Sequence, residues 1–167
     1  IKMKKTVNSE KETEELVKLF SKYIRPPLII GFNGDLGAGK TTFIRKLIRT
    51  YNVSEIVKSP TFGLVEEYNY DSIDILHADL YRINKNEMNY FDFHSYYNNR
   101  SLFLIEWIEN DNKILNNSDI LIDIKVVNNQ DKRIFDFKGN TNEGKKLIRN
   151  MEIWFFINLS TKKIFLK

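Results

Sequence analysis

Gly34-Asp35-Leu36-Gly37-Ala38-Gly39-Lys40-Thr41 satisfies the pattern G-x-x-x-x-G-K-[ST] at every fixed position. The pattern marks a phosphate-binding loop when a strand precedes it and a helix follows, and both are legible here. Leu28-Ile29-Ile30-Gly31-Phe32, after the Pro26-Pro27 break, is the continuous apolar run that a strand covered on both faces requires. From Lys40 onward, Phe43, Ile44, Leu47, Ile48 and Tyr51 recur at helical spacing, with Arg45, Lys46 and Arg49 on the other side. Small residues at 37 to 39 let backbone N–H groups curl round a β-phosphate, and the helix N-terminus adds free donors and partial positive charge. The expectation is ATP or ADP held by Asp35, Leu36, Gly37, Ala38, Gly39, Lys40, Thr41 and Thr42. Lys40 meets the β- and γ-phosphates, and the Thr41 hydroxyl meets Mg²⁺. The bland alternative is a glycine turn that merely joins strand to helix, and the flanking elements weigh against it.

Working outward, such a loop needs carboxylates for its metal and its water, and open α/β sheets deliver them at the carboxyl ends of strands. Leu102-Phe103-Leu104-Ile105-Glu106 is four apolar residues ending in an acid, and Ile73-Asp74-Ile75-Leu76-His77-Ala78-Asp79 delivers Asp79 in a similar way. One acid is expected to orient the metal and the other the attacking water, with Glu106 as the metal ligand. Either acid taken singly reads equally as a solvated loop residue. Thr61, in Ser59-Pro60-Thr61-Phe62, either offers its hydroxyl to the γ-phosphate or Mg²⁺, or sits in a proline turn entering a strand. The two histidines, His77 and His94, have no helical pairing and no cysteine beside them, which argues against a protein-built zinc centre. His77 is read as structural or as a support for a ligand. Asn128 to Asp131 and Asp136 to Gly139 imitate the guanine-reading motifs of GTPases in the wrong order and without the lysine, so guanine specificity is not expected.

The rest of the chain fits one domain over residues 1–167, of class α/β, with a mostly parallel central sheet extended by antiparallel strands in the C-terminal third. Ser9 and Glu12 form a capping box at the start of a first helix that runs to about Tyr23. Gly63 to Tyr68, Ile73 to Ala78 and Leu102 to Ile105 read as strands, with a helix between about Lys85 and Tyr97. Ile120 to Val127 and Arg133 to Phe137 read as consecutive antiparallel strands, and Glu143 to Asn150 as a helix. Ile153 to Leu159 with Lys163 to Leu166 reads as a closing hairpin, and Ile1 and Lys2 are given no fold role. No apolar run approaches the roughly 18 residues of a membrane span, zero cysteines exclude disulfides, and no apolar leader stands at the N-terminus, so a cytoplasmic protein is expected. A net charge of +4 suits an anionic partner, although a lysine-rich composition produces it without one.

Taken in order, the loop with Thr42-Phe43, then Ser59-Pro60-Thr61-Phe62, Leu64-Val65-Glu66-Glu67-Tyr68, His77-Ala78-Asp79-Leu80-Tyr81-Arg82 and Leu104-Ile105-Glu106-Trp107 resemble the TsaE (YjeE) family. The resemblance covers roughly Val7 to Asn150, leaving 151–167 as a C-terminal extension. It implies a cytoplasmic P-loop ATPase of threonylcarbamoyladenosine (t6A) synthesis at adenosine 37 of tRNA. Its partners would be TsaB and TsaD, and it would meet tRNA only through that complex. In this resemblance Thr41 and Glu106 bind Mg²⁺, and the start of the first helix, with Ser9 and Thr13, lies close to the nucleotide base. Isolated turnover is expected to be slow, since no arginine finger is evident. Arg82 and Arg100 are candidate phosphate contacts, and Tyr81, Arg82 and Trp107 are candidate docking residues. A small-molecule kinase would use the same loop with an arginine-bearing lid, which is not evident, and a non-enzymatic nucleotide switch would lack the water-positioning acid.

Overall fold

The computed structural model describes residues 1–52, 54, 56–58, 60, 65–82, 93–127 and 129–164. In chain order these form β1 (Lys2–Val7), α1 (Glu10–Tyr23), β2 (Leu28–Asn33), α2 (Lys40–Arg49), β3 (Val65–Tyr70) and β4 (Ile73–Asp79). There follow α3 (Phe93–Tyr96), β5 (Ser101–Glu106), a 3-10 turn (Ile108–Asn110), α4 (Asn112–Asn116), β6 (Ile120–Val127), β7 (Asn129–Gly139) and α5 (Asn142–Ile164). The seven strands form one sheet in the order β1-β7-β6-β2-β5-β4-β3. The inner set β6-β2-β5-β4 is parallel, whereas β7, β1 and β3 add antiparallel edges. The expected α/β class holds, but the antiparallel additions are not confined to the C-terminal third, because β1 and β3 come from the first half of the chain.

β2 lies between β5 and β6, so it is covered on both faces, which is why its sequence is unbroken apolar residues. α2 docks beneath it through Phe43, whose ring lies 5.5 Å from those of Phe32 and Phe135. Phe20 and Phe137 complete this fully buried aromatic cluster. Removing a ring from such a core costs about 3–5 kcal/mol, so the helix that begins at Lys40 is held firmly against the sheet. On β2 itself, a Cβ at Gly31 would come within 2.6 Å of the Ile108 side chain, so glycine lets the 3-10 turn after β5 press directly on the strand.

The Ser9 hydroxyl accepts from the Glu12 N–H at 3.2 Å, as a capping box requires, but the Glu12 carboxylate reaches one residue further back, to the Asn8 N–H at 2.9 Å. Two expectations are corrected. Lys2 is not idle: β1 begins there, pairing Lys2 with Lys138, and the Ile1 carbonyl accepts from the Gly139 N–H. The expected hairpin of Ile153 to Leu159 with Lys163 to Leu166 does not form among the described residues, because α5 continues unbroken from Asn142 to Ile164. Its start is capped by the Thr141 hydroxyl and anchored by buried Leu147, Ile148 and Met151. With no glycine or proline after Gly144, the apolar run extends a helix already nucleated. Gly63 and most of the expected helix from Lys85 to Tyr97 fall outside the described residues, of which α3 is the described end. Among the described residues no helix is long and apolar enough to cross a membrane.

Candidate nucleotide and metal site

The loop between β2 and α2 stands at the carboxyl edge of the parallel strands. Gly34, Gly37 and Gly39 take φ values of 136°, 77° and 111°, a region that side chains disfavour, and this backbone turns the N–H groups at the start of α2 toward the loop. Lys40 is buried at 4% exposure. Its Nζ donates to the carbonyls of Gly34 at 2.5 Å and Asp35 at 3.0 Å and lies 3.7 Å from the centroid of the Trp107 ring. Burial depresses its pKa, opposed by the nearby carboxylates, Glu106 first. A buried ammonium held by carbonyl dipoles and an aromatic face is a cation that gains from an incoming anion.

Glu106 ends β5 and is 2% exposed. The Thr41 hydroxyl lies 2.8 Å from both of its carboxylate oxygens. The register of β4 and β5 pairs Asp79 with Glu106, so both acids project on the same face of the sheet. The Asp79 carboxylate accepts the Tyr81 N–H at 2.9 Å; burial pushes its pKa up, with that hydrogen bond opposing. His77, two residues earlier on the same face, places Nε2 2.8 Å from Glu106 Oε1. Apart from the His77 ring, the side chains that meet here offer oxygen, one carboxylate and one hydroxyl. Among the described residues no group of three or more His, Asp or Glu forms a metal cage. That set fits a hard cation that completes its shell with phosphate and water, as Mg²⁺ does.

On the other flank of the loop is a cleft of about 190 Å³, lined by Glu10, Thr13, Thr42, Asp131 and Arg133 along with the loop itself. Thr13 thus lines the same cleft as the loop residues Gly37, Ala38 and Gly39. Ser9 lies outside that lining, and its hydroxyl and carbonyl hold the helix end that presents Thr13. Arg133 is the residue that sequence reading missed, and its Nε donates to the Ala38 carbonyl at 2.9 Å. The alternation that sends Phe135 and Phe137 into the core places Arg133 on their face, at the strand end nearest the loop. Arg100 is corrected: it bonds Asp74 at 2.6 Å and the Tyr70 carbonyl at 3.1 Å, at the opposite end of β5 from Glu106. Thr61 lies outside the described residues.

Residues 7–135 match the family model of the threonylcarbamoyl adenosine biosynthesis protein TsaE. The chain belongs to the TsaE family. The tRNA threonylcarbamoyladenosine biosynthesis protein TsaE of Haemophilus influenzae is 39% identical over 140 residues, 83% of this chain and 85% of its own length. That of Rickettsia typhi is 39% identical over 134 residues, 80% and 92% of the two chains. That of Bacillus subtilis is 36% identical over 103 residues, 62% and 64%. The solved structure of Bacillus subtilis YdiB superposes with a TM-score of 0.74 over 91% of this chain and 95% of YdiB, at 24% identity, and shares the P-loop fold. TsaE is thus a family of tRNA threonylcarbamoyladenosine biosynthesis, and the expected kinship holds. The model match ends at Phe135, so α5 lies beyond it.

Proposed function

We propose that this TsaE-family chain is a Mg²⁺-dependent ATPase that supports t6A37 formation on tRNA in the cytoplasm, acting with TsaB and TsaD and meeting tRNA through that complex. The observation that carries the reading is the convergence of Thr41 and Glu106 at 2.8 Å beside the Lys40 loop, with Asp79 on the neighbouring strand end. Lys40 exchanges its two carbonyl partners for the β- and γ-phosphates, a stronger charge-assisted contact. Thr41 and Glu106 hold the ion, and bound Mg²⁺ would neutralise charge developing on the phosphate oxygens. Asp79 orients the attacking water, with Thr61 sensing the γ-phosphate. Thr13 bounds the cleft where the base and ribose lie.

The deciding experiment is reconstitution of tRNA modification with TsaB, TsaD and a supply of threonylcarbamoyl donor, followed through several rounds. Repeated turnover is expected only when this chain and ATP are present; equal multi-round modification without the chain would refute the role. Labelled ATP in the same mixture is expected to yield free phosphate rather than a phosphorylated acceptor.

The metal assignment has its own test. Glu106→Gln keeps shape but removes the charge that a hard cation prefers, so the Mg²⁺ concentration for half-maximal activation should rise by more than about 100-fold, beyond the loss of an outer-shell partner. Superimposable activation curves for variant and parent would show that Glu106 is no ligand.

A further inference from the structure

Glu106 is nearly fully buried and its carboxylate must be satisfied by donors, since an unpaired buried charge is costly. The structure supplies two: the Thr41 hydroxyl, and the His77 ring, itself fully buried. A carboxylate only accepts, so His77 Nε2 carries the proton of this bond, and among the described residues Nδ1 has no hydrogen-bond partner. That is an unusual choice for a core position of β4. The neighbouring residues on the same face of β4 and β5 include apolar Ile75, Leu102 and Leu104, and a leucine at 77 would spare the orphaned nitrogen. Among the described residues, the polar contact that repays it is the bond to Glu106.

We infer that His77 is a positioning residue, whose Nε2–H fixes the rotation of the Glu106 carboxylate so that its oxygens face Thr41 and the metal position. The inference rests on Glu106 being a metal ligand and adds to it a residue that never touches the ion. A ligating carboxylate held by an outer donor is pre-oriented, and loss of such a donor typically weakens metal affinity about 10–100-fold. The Thr41 hydroxyl cannot do this alone, because it has one proton and lies 2.8 Å from both oxygens, so it commits neither of them to a fixed direction.

The test uses two amides of equal polarity. Glutamine places its amide nitrogen near the position of the histidine Nε2, whereas asparagine reaches only the position of Nδ1, so both satisfy a generic buried-polar role but only Gln can reach Glu106. Calorimetric titration of ADP at graded Mg²⁺, and in chelator, gives a metal dependence that needs no turnover. We expect His77→Gln to stay within a few-fold of the parent, and His77→Asn and His77→Leu to need about 10–100-fold more Mg²⁺, with ADP affinity in chelator unchanged. In a Glu106→Gln background, His77→Asn should add no further shift, because its effect passes through that carboxylate. Equal Mg²⁺ dependence of parent, Gln and Asn variants would overturn the proposal while a shifted Glu106→Gln curve left the metal reading standing. An unshifted Glu106→Gln curve would remove both. Should His77→Leu fail to fold, the Gln and Asn pair still decides.

Discussion

Lys40→Ala is expected to lower kcat for phosphate release by at least about 10²–10³-fold, the scale for removing one preorganised electrostatic group from a reacting centre. The ammonium is the cation seated inside the loop, bonded to the Gly34 and Asp35 carbonyls and lying over Trp107. Alanine leaves the loop glycines and α2 in place, because the helix is anchored through Phe43, Ile44, Leu47 and Ile48 rather than through Lys40. The loss should therefore fall on turnover and nucleotide affinity, not on folding. Lys40→Arg should not rescue, since a planar fork cannot occupy the place of a point charge between two carbonyls. Turnover at saturating ATP and Mg²⁺, with calorimetry of ADP binding and a thermal melt, checks all three statements. Hydrolysis by Lys40→Ala at the parent rate would end the assignment of this loop as the phosphate site.

The parts of the site that were legible in the sequence are those whose geometry is written in short spacings. The loop declares itself because four fixed positions fall within eight contiguous residues, and Glu106 because a buried strand ending in an acid is local information. That Asp79 also ends a strand was legible in the same way, whereas its pairing with Glu106 comes from the register of β4 and β5. The His77 to Glu106 bond was not legible, because it depends on the relative stagger of β4 and β5 across 29 residues of chain. Arg133 was hidden for a similar reason, lying 95 residues from its Ala38 partner. β1 was missed because Lys-Met-Lys-Lys-Thr-Val offers only Met3 and Val7 to the core, and edge strands are commonly short and lysine-rich. The misread C-terminus shows the opposite failure: Ile153 to Leu159 is rich in strand-favouring residues, yet its conformation follows from the helix that it continues.

Adding TsaB and TsaD to the chain should raise phosphate release by about 10³-fold or more, the lower end of what an arginine supplied by another protein contributes to phosphoryl transfer. Lys40 lies at the phosphate end of the loop, Arg133 approaches the loop's other flank at the Ala38 carbonyl, and Arg100 is committed to Asp74 at the far edge of the sheet. Of these three, only Lys40 is placed to meet charge developing on the γ-phosphate, together with an ion held by Thr41 and Glu106. Stabilisation from outside has a natural point of entry. Tyr81 is 50% exposed, its ring lies 4.8 Å from that of Trp107, and Trp107 in turn carries the Lys40 ammonium on its face. A partner resting on this aromatic pair would stand within reach of the reacting phosphate and would press on the lysine that meets it. Aromatic side chains of this kind often dominate interface energies, so Tyr81→Ala should weaken the stimulation while leaving the basal rate of the isolated chain within about two-fold. The measurement is phosphate release by the chain alone, with TsaB, with TsaD and with both, repeated for Tyr81→Ala. A basal rate already equal to that of the full mixture would show that the chain completes its own transition-state stabilisation and would remove the need for a partner.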